Sequence, residues 1–212
     1  MYVDDSDSEI LNITREISER LDLDFGPTKV DWQDIVADGR YLKRVDYDEP
    51  IIGRTHIILA NAMKGKLTPE EWKPLIMSSL LYSEKLVWER NKKVGLSILP
   101  IFVPVIAGFF APIYLLPYSL GKLVLGAYLP FFVLGLIYMV YRGNLVYRSY
   151  RTRADQETAK ILGKDLILNT LLKIDAMHLP NLEAEKMRRR LSRTMWRPNI
   201  SDRIALLRDM NS

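Results

Sequence analysis

VGLSILPIFVPVIAGFFAPIYLLPYSLGKLVLGAYLPFFVLGLIYMVY, residues 94–141, is the stretch that decides the architecture. From Val94 to Gly121 no side chain is charged; Lys122 interrupts, and Leu123 to Tyr141 is uncharged again. A helix rises about 1.5 Å per residue, so roughly 20 apolar residues cross a hydrocarbon core about 30 Å thick. Both runs are long enough. Pro117-Tyr118-Ser119-Leu120-Gly121-Lys122 joins them with helix breakers, which predicts a short turn and an antiparallel transmembrane hairpin.

Basic residues crowd both outer ends of this block. Lys85, Arg90, Lys92 and Lys93 precede it, and Arg142, Arg148, Arg151 and Arg153 follow it, whereas the turn carries only Lys122. The excess of Lys and Arg places both flanks, and therefore both termini, on the cytoplasmic side. Tyr114, Tyr118, Tyr128 and Tyr141 suit the membrane interface. Pro100, Pro104 and Pro112 lie in the first run and predict a bent helix. Neither run holds Asp, Glu, Arg or His, so no proton relay or ion path is expected within the spans.

The chain of 212 residues carries a formal charge of +4, acid-rich at its start and basic in its last third. It has no cysteine, which excludes disulfides, thiolate metal sites and a cysteine nucleophile. The acidic opening Met1-Tyr2-Val3-Asp4-Asp5 lacks the features of a secretory signal. The expected organisation is residues 1–93 and 142–212 forming two parts of one cytoplasmic domain, with residues 94–141 as the membrane hairpin.

Local signals give the domain an α+β, mainly helical character. Ile10, Leu11, Ile13, Ile17 and Leu21 recur at helical spacing, with Gly26-Pro27 as the stop. Val30-Asp31-Trp32 and Tyr41-Leu42 read as short strands around an Asp38-Gly39 turn, and residues 55–59 (THIIL) as another strand. Leu67-Thr68-Pro69-Glu70-Glu71 opens a helix, with Thr68 as N-cap, running through 69–93 toward the membrane. After the hairpin, helices are expected over 149–162, 164–176, 183–192 and 201–210.

The order of these elements resembles the M48 zinc metallopeptidases, in their HtpX-like membrane branch. That family places a strand before an "L-T-x-E-E" helix start and an H-E-x-x-H helix. Two membrane helices, an "E-x-x-A-D" helix and a late "P-x-x-x-x-R-I-x-x-L" segment follow. Here the strand is 55–59 and the helix start Leu67–Glu71. Arg151-Thr152-Arg153-Ala154-Asp155 and Pro198–Leu207 supply the late elements. The resemblance covers roughly residues 10–210 and implies an M48 peptidase-like fold.

It also implies a lost active site. The H-E-x-x-H slot falls on Ser78-Ser79-Leu80-Leu81-Tyr82, and the third ligand slot on Arg151. Ser78 and Tyr82 replace histidines, Ser79 replaces the general base, and an arginine replaces a carboxylate. Neutral hydroxyls bind zinc poorly and a guanidinium repels it, so no zinc is expected. No histidine lies between His56 and His178, so no shift of register restores the motif. Asp155 is expected to pair with Arg151 or Arg153, or to cap packing. A catalytically inactive, membrane-anchored homologue that binds a protein or peptide in the remnant cleft follows. An active hydrolase with a non-standard metal site at unidentified residues, and a membrane scaffold without peptidase ancestry, stand as alternatives; a metal site recruiting His56 and His178 across the fold is a separate reading. Arg188, Arg189, Arg190 and Arg193 form a basic face suited to anionic lipid headgroups. Nucleic acid is not an expected partner, because aromatic interleaving is absent.

Overall fold

A computed structural model describes residues 5–38, 41–187 and 197–210. It is mainly helical, with a small sheet and a β-hairpin near the N-terminus. The amphipathic repeat forms α1 (Asp5–Leu21), which buries Ile10, Ile13, Ile17 and Leu21. It stops earlier than Gly26-Pro27 suggests, because Asp22 takes a positive φ of 56°. The Leu23 N–H then reaches back to the Ser18 carbonyl at 2.9 Å, closing the helix end as a Schellman-type bond does.

Three short strands make the sheet. β1 (Lys29–Trp32) runs parallel to β5 (His56–Leu59), and β4 (Ile51–Ile52) lies antiparallel on the other side of β5. β2 (Ile35–Asp38) and β3 (Tyr41–Arg44) form a separate antiparallel hairpin. The strand expected over 55–59 is therefore the central strand, and β4 is the edge that packs beside α2.

α2 (Pro69–Leu80) starts as the sequence predicts. Thr68 Oγ1 accepts from the Glu71 N–H, and the Glu71 carboxylate accepts from the Thr68 N–H, a reciprocal capping box. The helix does not run unbroken to residue 93. A π-helical turn over Leu81–Lys85 intervenes before α3 (Val87–Leu115) carries the chain through the first apolar run. The reversal is tighter than Pro117–Lys122. Only Leu116 and Pro117 lie outside helices, and Lys122 sits in α4 with its ammonium over the Tyr118 ring.

α4 (Tyr118–Leu162) is one helix of 45 residues. The helix expected over 149–162 is its continuation, because nothing between Tyr141 and Ser149 breaks it. It ends at Gly163, whose φ of 94° suits a residue without Cβ. α5 (Lys164–Asp175), α6 (Pro180–Met187) and α7 (Ile200–Asp209) complete the described chain. The helix expected over 183–192 thus begins earlier, and its part beyond Met187 lies outside the described residues.

Residues from both flanks share one hydrophobic core. Trp72, Leu75, Ile76 and Leu80 of α2 are buried with Ile57 and Leu59 before the hairpin and Ile167, Leu171, Ile204 and Leu207 after it. α3 and α4 pack antiparallel, with Gly135 against Val105 and Gly108 against Tyr128. Both are long and apolar enough to cross a membrane, and their apolar windows are almost wholly uncovered by protein. Removal of the cap by Thr68→Ala is expected to lower unfolding free energy by about 1 kcal/mol. Denaturant titration in detergent measures the loss.

Candidate functional site

Ser78, Tyr82, Arg151 and Asp155 converge in two adjacent contacts. α2 and α4 pack side by side, so i and i+4 positions of one helix meet i and i+4 positions of the other. Ser78 Oγ donates to Asp155 Oδ1 at 2.6 Å. One turn along, the Arg151 guanidinium lies 3.8 Å from the centre of the Tyr82 ring. Arg90 lies 4.3 Å from the same ring and donates to the Tyr82 carbonyl at 3.0 Å. Tyr82 belongs to the π-helical turn, a local irregularity that re-aims side chains and is frequent at functional sites. Burial raises the Tyr82 phenol above its ordinary pKa, against the lowering influence of Arg90, so it stays protonated.

Behind these residues lies a buried charge network. Arg203 of α7 donates from Nε to Asp155 Oδ2 and from Nη2 to Asp155 Oδ1, each at 2.8 Å. Its Nη1 donates to Asp48 Oδ2 at 2.6 Å and to the Asp48 carbonyl at 3.0 Å. Arg197 pairs with Asp46 and Asp48 and lies 3.1 Å from Glu49. Arg151 pairs with Glu49. The acidic residues come from a tight turn closed by a bridge between Asp46 and Glu49, just before β4. Asp155 thus pairs with Arg203 and Ser78, not with Arg151 or Arg153. Arg151 is drawn to Glu49 instead, and Arg153 points outward to Glu89 at 2.6 Å and Glu157 at 2.7 Å.

Burial tends to raise the Asp48 carboxyl, but Arg197 and Arg203 overcome it and hold the group well below the usual carboxylate range. Arg151 is pushed down to about 9, by burial first and then by Arg197 and Arg203, with Asp155 and Asp48 opposing. It therefore keeps its charge at neutral pH. Arg203 is held above its ordinary value, because Asp155 and Asp48 outweigh the effect of burial.

A cavity of about 150 Å³ opens beside this cluster, lined by Ser79, Tyr82, Ser83 and Arg151 from the helices and by Glu49 and Ile52 at the strand edge. Lys43 of the β2–β3 hairpin also lines it. Gly53 N–H bonds the His56 carbonyl at 2.9 Å, so Gly53 and Ile51 face β5 in the antiparallel ladder. The alternation leaves the Ile52 N–H and C=O on the open side of β4.

Chemically the cluster does not suit zinc. Ser78 is committed to Asp155, Tyr82 keeps its proton, and Arg151 is a cation. No group of three or more His, Cys, Asp or Glu suited to a metal occurs among the described residues. His56 starts β5 with its ring against Gly53, while His178 is exposed before α6, 3.3 Å from Glu183. Ser79 lines the cavity, which Glu49 and Lys43 also line, with Glu49 committed to Arg151. Arg188, Arg189, Arg190 and Arg193 lie outside the described residues. Sequence reading missed Asp48 and Glu49. Their run Asp46-Tyr47-Asp48-Glu49-Pro50 reads equally well as a solvated loop, and only the folded pairing with Arg203 and Arg151 distinguishes it.

No family model, no curated protein and no solved structure matches this chain.

Two outcomes are expected. Ser78→Ala removes a hydrogen bond to a buried carboxylate and should cost about 1.5–3 kcal/mol in denaturant unfolding. For Asp48, the folded pKa is depressed, so its stabilisation is complete above the unfolded value of roughly 4 and is lost as pH falls toward the folded value. The stability gap between wild type and Asp48→Asn should therefore be widest near pH 6 and narrow progressively below pH 4.

Proposed function

We propose that this protein is a membrane-anchored, catalytically inactive relative of the HtpX-like M48 metallopeptidases, and that it acts by binding a protein or peptide. The observation that carries this reading is the convergence of Ser78, Tyr82 and Arg151 beside Asp155. Side-by-side packing brings i and i+4 positions of two helices together, and here the four that meet are the four the resemblance names. In the family pattern these are the two histidine slots, the third-ligand slot and the supporting aspartate. A guanidinium held by Glu49 and stacked on Tyr82 occupies the centre that a metal fills in active members.

The α3–α4 hairpin anchors the protein in the bilayer. Its exposed side chains include Leu99, Phe102, Val103, Phe131, Leu134 and Ile137. An uncovered apolar band of that length is a strong liability in water and the natural state in lipid. Because the flanks share a core, both lie on one side of the membrane. The excess of basic residues beside the spans assigns that side to the cytoplasm.

Binding uses the open edge of β4. An extended partner segment hydrogen-bonds the Ile52 backbone and sets a side chain into the cavity between Ile52 and Tyr82, by strand addition. Pro50 shortens the edge and limits indiscriminate pairing. Hydrolysis is not part of this reading, because the hydroxyls of Ser78 and Tyr82 and the guanidinium of Arg151 are not zinc ligands.

The test is metal loading of two proteins purified in detergent. Wild type should carry near-zero zinc by elemental analysis. A variant with Ser78→His, Ser79→Glu, Tyr82→His and Arg151→Glu rebuilds the ligand set and should carry about one zinc per chain. Stoichiometric zinc in wild type would overturn the inactive reading. A folded quadruple variant that takes no zinc would overturn the family reading.

A further inference from the structure

Several cations on the domain surface are answered by an opposite charge: Arg148 by Asp202 at 2.7 Å, Arg153 by Glu89, Lys73 by Glu16 and Lys173 by Glu71. Three cations at the root of the hairpin are not. Lys92, Lys93 and Arg142 are exposed, and none has a carboxylate partner among the described residues. Lys93 makes only a distant approach to the Tyr150 ring, 5.9 Å from its centre. Glu89, the nearest acid in sequence to Lys92, is already taken by Arg153.

Their position is fixed by the antiparallel packing. Gly143 faces Ile98, and Lys93 faces Tyr150. Arg142 therefore stands level with the first turns of the apolar band, and Lys92 and Lys93 about 9 Å below it along the hairpin axis. A headgroup layer is roughly 5–8 Å thick on each side of the hydrocarbon. With side chains several ångströms long, all three cations reach that layer. Trp88, 77% exposed and one turn below Lys92, adds an aromatic of the kind that favours the interface. The far end of the hairpin has only Lys122, which rests over Tyr118 at 4.3 Å.

We propose that Lys92, Lys93 and Arg142 form a seat for anionic phospholipid headgroups at the cytoplasmic root of the hairpin. The occupant follows from the place: the seat is continuous with the lipid-facing surface of α3 and α4, and its unanswered charge calls for a phosphate bearing net negative charge. A zwitterionic headgroup offers no net compensation. Each cation near an anionic surface strengthens association by about fivefold. The seat also fixes the hairpin's depth, because burying Arg142 in hydrocarbon or lifting Lys92 away from the phosphates is unfavourable. This rests on the membrane reading given above.

The test is native mass spectrometry of the full chain in detergent, titrated separately with phosphatidylglycerol and phosphatidylcholine. Wild type should bind phosphatidylglycerol at least about tenfold more tightly than phosphatidylcholine. Lys92→Gln, Lys93→Gln and Arg142→Gln combined should abolish that preference while leaving thermal unfolding in detergent unchanged, since all three side chains are exposed. Millimolar inorganic phosphate should not displace the lipid. Equal affinity for the two lipids, a preference that survives the triple variant, or displacement by free phosphate would each overturn the proposal. A chain that stays monomeric and dispersed without detergent would instead overturn the membrane reading beneath it.

Discussion

Arg203 is buried, and its guanidinium donates to carboxylates from both sides of the hairpin in sequence: Asp48 before it and Asp155 after it. Burying an ion costs several kcal/mol, a loss recovered only where its donors are well matched. Here both edges of the guanidinium are used, the first bidentate to Asp155 and the second to the carboxylate and carbonyl of Asp48. Asp155 in turn accepts from Ser78. One cation thereby fixes α7, α4, α2 and the turn before β4 relative to one another. The cavity beside β4 has its shape because these four segments cannot slide independently.

α4 extends this constraint toward the proposed membrane. At about 1.5 Å per residue, its 45 residues make a rod of about 68 Å, with the hairpin turn at one end and Arg151 and Asp155 near the other. α3 reaches the same region through the π-helical turn at Leu81–Lys85, where Tyr82 meets Arg151. Both legs of the hairpin are thus anchored in the charged cluster. The cavity beside β4 and the proposed lipid seat at the hairpin root have α4 in common, through Arg151 and Arg142. Arg151 keeps a cation at the centre of this cluster, carried by the chain itself and compensated by Glu49.

Much of this was legible in the sequence. The hairpin follows from two uncharged runs and their basic flanks, and the α2 start from Thr68, Pro69 and Glu71. The α1 face follows from its apolar spacing. The juxtaposition of Ser78, Tyr82 and Arg151 was expected from the resemblance and is found in the fold. What was not legible depends on long-range pairing. An acidic run such as Asp46–Glu49 carries no local sign of burial. Asp155 has arginines at 151 and 153 as sequence neighbours, yet its partner lies on α7. β5 became central because β4, only two residues long, adds to it, and a strand that short leaves no periodic signal. The continuity of α4 was hidden by Arg142, Arg148 and Arg151, which mark a membrane boundary without interrupting a helix.

The most direct measurement of whether the two flanks form one body through this cluster is a double-mutant cycle on Asp155→Asn and Arg203→Met. Unfolding free energies are measured in detergent for both single variants, the double variant and wild type. The structure predicts a coupling energy of about 2–3 kcal/mol, with the double variant far less damaged than the sum of the singles. Effects that add within about 0.5 kcal/mol would contradict it, because Asp155 and Arg203 would then not be partners.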